Sequence, residues 1–248
     1  MIAGGKPNLI GISGKMGSGK DTLSFVINYL ADKDAPDSIG RWEQDIEDFV
    51  YKNKKYSEKL KYMVCFLLGC KRSDLEDREF KEKELGEEWW YCVADDGSYI
   101  PYVQNLHEGK VVNLVKLTPR KLLQLLGTEA GRQIIHPNIW VNALFADYVC
   151  DDCGQKECPT DEEDTGQIIH RSFPNWIITD VRFPNEAQAI KDRGGILIRI
   201  NRPQLIERDF EHLSETALDD YDGFDYVIEN NSDSVADLVE QVKQLKIV

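Results

Sequence analysis

The chain is poor in the features that would carry it into or across a membrane. Among its 248 residues no apolar run approaches the roughly 18 needed to span a bilayer. Its opening segment, MIAGGKPNLIGISGKMGSGK, has one early Lys but no secretory apolar region. The expectation is a soluble protein acting in the cytoplasm, without a membrane partner. Positive charge is also scarce: 30 Lys and Arg face 44 Asp and Glu, a formal net charge of −14. Such a surface repels nucleic-acid phosphates, so stable binding to DNA or RNA is not expected and any anionic ligand must be met by local basic clusters. The six Cys, in a chain without an export signal, suggest thiols or a metal site rather than a disulfide scaffold. There is no internal repeat and no low-complexity tract.

What is present suits a globular enzyme. With 42% apolar and 30% charged residues, the chain has material for one α/β domain with insertions or for two small domains. Asn8 to Ser13 is an apolar run that breaks into glycines, the pattern of a buried strand entering a turn. Leu23, Val26, Ile27 and Leu30 then recur at helical spacing. A helix is predicted at 58–68, followed by a charged stretch over 74–88. Trp89 to Val93 and Tyr99 to Val103, separated by Asp95-Asp96-Gly97, read as a hairpin. Thr118-Pro119 is a capped helix start ahead of Arg120 to Leu126. Asn138 caps a further helix through Tyr148. Trp176 to Asp180, Ile196 to Ile200 and Asp225 to Glu229 are strand candidates, with helices at 185–193 and 235–246. Strands alternating with helices predict an α/β fold with a parallel sheet.

Chemistry enters at Gly14-Lys15-Met16-Gly17-Ser18-Gly19-Lys20. This segment fits G-x-x-x-x-G-K, directly after a predicted strand and directly before a predicted helix. Glycines let the backbone wrap around phosphate, and the amides with the helix N-terminus supply donors and partial positive charge. Lys20 would bridge the β and γ phosphates of ATP. The plainer alternative is a Gly-rich turn with an exposed Lys. Asp21 stands where Ser or Thr usually serves Mg²⁺, and Thr22 follows it. Which of the two reaches the metal, directly or through water, is left open.

Several further segments resemble the bacteriophage deoxynucleoside monophosphate kinase family, within the P-loop nucleoside monophosphate kinases. They are the loop Gly14 to Thr22 with its Gly-Lys-Asp-Thr, Leu75 to Lys81, Thr118 to Arg132 with its Leu-Gly-Thr-Glu, His136 to Trp140, Ile178 to Glu186 with Asp-Val-Arg-Phe-Pro-Asn-Glu, and His212 to Glu215. The resemblance implies a P-loop kinase core of residues 1–34 and 119–248. This core would carry a polar, Cys-containing insertion at 150–174 and a lid-like segment at 202–220. Residues 35–118 would form the acceptor-binding insertion. The implied reaction passes a phosphoryl group from ATP to a deoxynucleoside monophosphate, with Mg²⁺ and no covalent enzyme intermediate. Small nucleotides are the expected partners, a homodimer is left open, and the location is host cytoplasm if the chain is viral.

A dianionic acceptor phosphate calls for the planar forks of Arg. Arg78, Arg120, Arg132 and Arg182 are the candidates, and the resemblance favours Arg78, Arg120 and Arg182. It also implies that Gly127, Thr128 and Trp140 shape the nucleoside pocket. Asp180, expected at the carboxyl end of a central strand, would orient Mg²⁺ through water or touch the acceptor. Glu186 is a weaker acceptor candidate that a helix-dipole role explains nearly as well. Arg202 would approach the transferring phosphoryl group or lie on the surface. The loop after 225–229 would cradle adenine or simply cap the last helix. Cys150, Cys153, Cys158 and His170 have the ligand types for structural zinc, but their spacing is irregular and free thiols are the favoured reading. The rival functions are another small-molecule P-loop kinase and a nucleotide-driven regulatory ATPase.

Overall fold

The computed structural model describes residues 6–40, 43, 49–94, 96–102, 113–156, 173–203, 213–232 and 234–248. In chain order the elements used below are β1 (Leu9–Ser13), α1 (Lys20–Ala31), β2 (Lys52–Lys54), α2 (Glu58–Leu68), α3 (Arg78–Glu82), β3 (Tyr91–Val93), β4 (Tyr99–Pro101) and β5 (Asn113–Val115). They continue with α4 (Pro119–Gln124), a π-helix (Leu125–Ile135), α5 (Ile139–Phe145), β6 (Trp176–Ile178), α6 (Pro184–Lys191), β7 (Ile196–Asn201), α7 (Leu213–Thr216), β8 (Tyr226–Glu229) and α8 (Val235–Leu245). The chain divides into two compact units, one of residues 1–56 and 141–248, the other of residues 57–140. The sequence reading placed its breaks instead at 34/35 and 118/119.

The first unit is built on a five-stranded sheet of order β2-β6-β1-β7-β8, with every pairing parallel. β1 lies at the centre, with Ile10 opposite Ile177 on one side and Ile196 on the other. Strands covered on both faces read as unbroken apolar runs, and β1 and β6 are buried at every position. Ile10, Ile12, Leu23, Val26, Ile27, Ile177, Ile198 and Val242 form the heart of the core. Each such side chain contributes roughly 1.5–3 kcal/mol on burial.

Edge strand β2 escaped the sequence reading because Lys-Asn-Lys has no apolar signal. Polar bonds secure it: the buried Asn28 Oδ1 accepts from the Tyr51 amide at 2.7 Å, and the Ser24 hydroxyl donates to Asn53 Oδ1 at 2.5 Å.

The second unit holds a three-stranded antiparallel sheet of order β4-β3-β5. β3 and β4 form the expected hairpin, turning at Gly97, whose φ of 80° lies in the left-handed region that glycine tolerates. Residues Asp95 and Val103 of that expectation lie outside the described residues. Third strand β5 was not anticipated. Thr118 caps α4 as its sequence suggests: the hydroxyl accepts from the Lys121 amide at 3.2 Å and Pro119 opens the helix. Beyond Gln124 the backbone does not stop but widens into the π-helix, closed by the His136 amide bonding Gly131 O at 2.9 Å. No sequence period announces that widening.

Candidate phosphate-transfer site

In the first unit the loop between β1 and α1 is shaped by backbone rather than side chains. Gly17 and Gly19 have φ of 83° and 100°, the left-handed region where a Cβ is strained. Gly14 is required for a different reason: a Cβ there would stand 2.5 Å from Ile200 O and 2.5 Å from Ser18 Oγ. The far side of the loop is braced by Asn230, just after β8, whose Nδ2 donates to Ser18 O at 2.9 Å. A Cβ on Gly19 would sit 2.7 Å from that same nitrogen. The loop after β8, read from the sequence as either an adenine cradle or a cap for the last helix, is a structural strut for the glycine loop.

α1 begins at Lys20 with no side-chain cap, so its first amides are left for a ligand. Ser18 is 1% exposed, and its hydroxyl is buried without a hydrogen-bond partner among the described residues. A buried hydroxyl facing a ring of glycine backbone suits a phosphate oxygen. Lys20 Nζ folds back onto the loop, donating to Gly14 O at 2.7 Å and Lys15 O at 2.8 Å. Burial and, next, the Arg182 guanidinium lower its pKa to about 8, while Glu215, Asp21 and Asp180 work in the opposite direction. Those opposing charges locate the group: Lys20, Arg182, Asp180, Asp21 and Glu215 share one electrostatic neighbourhood.

Each neighbour has its own anchor. Asp180 follows β6 directly after Thr179, is 8% exposed, and accepts from the Tyr56 amide at 2.7 Å through Oδ1. Arg182 Nη1 pairs with Glu215 Oε1. Glu186 is 1% exposed, and its Oε2 accepts from the amides of Arg182 at 2.7 Å and Phe183 at 3.1 Å. That carboxylate ties down the turn that aims Arg182 and caps α6. Exposed Asp21 pairs with Lys55 at 3.1 Å, and Thr22 is exposed beside it on the first turn of α1.

Two residues of this neighbourhood were missed. Arg199 interrupts the apolar β7, and its Nη1 donates to Ser13 Oγ at 3.1 Å while Nη2 meets Asp219 Oδ1 at 3.2 Å. Asp219 Oδ2 in turn holds Lys15 Nζ at 2.5 Å, and Lys15 also donates to Glu215 O at 2.7 Å. A cation amid Ile196 to Ile200 was the available signal. Asp219 lies in an acid-rich tract with nothing to single it out. Only part of the lid-like segment is described: Arg202 is half-buried, and residues 204–212, including His212, lie outside the described residues.

In the second unit Trp140 is buried, and its indole N–H donates to Gly127 O at 2.7 Å. Gly131 is pinned between the Leu126 carbonyl, 2.6 Å from a built Cβ, and the Trp140 ring at 3.1 Å. Thr128 is buried between these glycines. Gly127, Thr128, Arg132 and Trp140 thus belong to one packed arrangement around the π-helix. Arg120 Nε pairs with Glu82 Oε1, whereas exposed Arg78 opens α3 beside its cap Asp77, which accepts from the Glu79 amide at 2.9 Å.

Of the zinc candidates, Cys150 is buried and Cys153 half-buried in a tight turn closed by Gly154 N bonding Cys150 O at 2.8 Å. Cys158 and His170 lie outside the described residues, among which no cluster of three metal-ligating side chains occurs. No helix among the described residues is long and apolar enough to cross a membrane.

Comparison with known proteins gives the site a context. A family model described as deoxynucleotide monophosphate kinase matches residues 79–242. The deoxynucleoside-5′-monophosphate kinase of Escherichia phage T5 is 25% identical over 210 residues, covering 74% of this chain and 72% of its own. A protein of Acanthamoeba polyphaga mimivirus, provisionally named a deoxynucleotide monophosphate kinase, is 27% identical over 230 residues, covering 90% and 88%.

Proposed function

The chain belongs to the deoxynucleotide monophosphate kinase family, and from that premise we propose that it transfers the terminal phosphoryl group of ATP to a deoxynucleoside 5′-monophosphate, giving ADP and the diphosphate. An oxygen of the acceptor phosphate forms the new bond to phosphorus as the bond to the ADP oxygen breaks. The reading rests above all on the glycine-walled loop, whose buried Ser18 hydroxyl and helix-end amides await an anion beside Lys20 and Arg182.

Phosphoryl transfer asks little covalent chemistry of a protein; it needs positioning and charge. The loop from Gly14 through Thr22 holds the ATP phosphates, with Lys15 and Ser18 contributing a cation and a hydroxyl. Lys20 leaves the Gly14 and Lys15 carbonyls to neutralise the β and γ oxygens. Arg182, aimed by Glu186, forks onto the transferring or acceptor phosphate, and Arg202 adds charge as the lid-like segment closes. Arg78, Arg120 and Arg132 hold the acceptor phosphate, while Gly127, Thr128 and Trp140 form the wall of the nucleoside pocket. Asp180 and the Thr22 hydroxyl are hard oxygen donors, the ligand type Mg²⁺ takes, and the buried Asp180 carboxylate beside Lys20 suits it. Bound there, the ion would neutralise phosphate charge. The cytoplasm supplies all of these small molecules.

An acceptor screen at fixed ATP, reading ADP, tests the proposal. Deoxynucleoside monophosphates should stimulate turnover strongly and other phosphate acceptors weakly. Equal turnover without any acceptor would point to a regulatory ATPase.

A further inference from the structure

We infer that Cys65 and Cys70 form a reversible dithiol–disulfide site at the carboxyl end of α2. The placement follows from how this helix stops. Gly69 adopts φ of 64°, and the Cys70 amide reaches back to Cys65 O at 3.2 Å. A glycine in the left-handed region with a bond of this span is a Schellman-type ending, which brings together the side chains four residues before and one residue after that glycine. Here both of those side chains are thiols, and each lies within the other's electrostatic reach. The backbone bond between the two residues brings them side by side, the juxtaposition that a disulfide, with Cα atoms roughly 4.4–6.8 Å apart, requires. Both thiols are half-buried and so reachable by a small reagent.

The chemistry balances with a low-molecular-weight disulfide as oxidant. One cysteine, as thiolate, attacks the reagent's disulfide and displaces one thiolate. The second cysteine then attacks the mixed disulfide, forming the Cys65–Cys70 bond and releasing the other thiolate. The two cysteine protons pass to the two departing thiolates. Burial, then the Cys65 thiol and Asp74, push the Cys70 thiol upward, so closure should quicken as pH rises from about 7 to about 9. The helix matters to the proposed acceptor side: its Leu60 backs the π-helix at Gly127, where a built Cβ would lie 2.8 Å from Leu60 Cδ2.

Oxidised glutathione is the probe. After treatment, free thiols are alkylated, and trypsin, cutting after Lys61 and Lys71, releases both cysteines on one peptide. In the folded protein that peptide should be unalkylated and lighter by two hydrogens, and should return to the dithiol form with reductant. Bridging should be at least ~10-fold faster than in the same chain unfolded by urea, because folding sets the effective concentration of the second thiol. Cys65→Ser and Cys70→Ser should each leave a single alkylated or glutathione-bearing thiol. Two separate adducts, a bridge to another cysteine, or equal rates in folded and unfolded chains would each overturn the inference.

Discussion

The phosphate-loop unit and the unit of residues 57–140 hold their candidate residues by different means. In the first, glycine backbone makes the shape, and each cation is already engaged: Lys20 by carbonyls, Arg182 by Glu215, Lys15 and Arg199 by Asp219. In the second, side-chain packing makes the shape, with Trp140 locked onto Gly127 and two glycines of the π-helix pressed against their neighbours. The site proposed for highly charged phosphate is thus made of backbone and balanced charge. The arrangement proposed to meet a nucleoside is made of fitted volume. Substitutions in the first should strike the chemistry, and substitutions in the second should strike stability and acceptor fit.

The largest contrast should come from Lys20→Ala. Transfer should fall by about 10³-fold or more, roughly 4 kcal/mol of transition-state stabilisation, with circular dichroism unchanged. Near-normal turnover in a folded variant would remove Lys20 from the chemistry. Arg182→Ala should lower the acceptor kcat/KM by about 30-fold, roughly 2 kcal/mol, while directly measured ATP affinity stays close to wild type. Unchanged acceptor kinetics would move the fork to Arg78, Arg120 or Arg132.

On the other side of the comparison, Gly131→Ala should cost about 1–3 kcal/mol in urea unfolding, because its Cβ would meet the Leu126 carbonyl. Gly127→Ala should cost less, since there the neighbour is a Leu60 methyl that can move. Equal costs would show that packing does not distinguish the two glycines.

The pH dependence is a subtler test. With its pKa lowered to about 8, Lys20 is protonated below that value and loses its charge above it. ATP affinity of the free protein should therefore weaken up to ~10-fold per unit above about pH 8, and Lys20→Arg should abolish that slope. The charged lysine is disfavoured by folding, so this group makes the unliganded protein more stable, not less, as pH rises from about 8 toward 10.5. Smallest of all, Cys153→Ser should leave activity unchanged and stability within about 0.5 kcal/mol. Loss of bound zinc with a large fall in Tm would instead reveal a metal site.

Much of this was legible in the chain. The phosphate loop, the buried strands on either side of it, the Thr118-Pro119 helix start and the 58–68 helix all follow from neighbours within a few residues. The rest depended on distant partners. Glu186 read as a weaker acceptor candidate that an exposed helix-dipole role explained nearly as well; the fold closes around it and gives its Oε2 to two amides. β2 is recognisable only because β6 lies beside it.

The sequence by itself determined the shape of the proposed anion site, because glycine spacing, a following helix and one lysine act through local backbone geometry. The tertiary structure alone decided how that site is charged and braced. Asn230 supports the loop from 212 residues away, and Asp219 bridges Lys15 and Arg199 across separations of 204 and 20. Hydrogen bonds and charge act through space, and a sequence records only order along the chain.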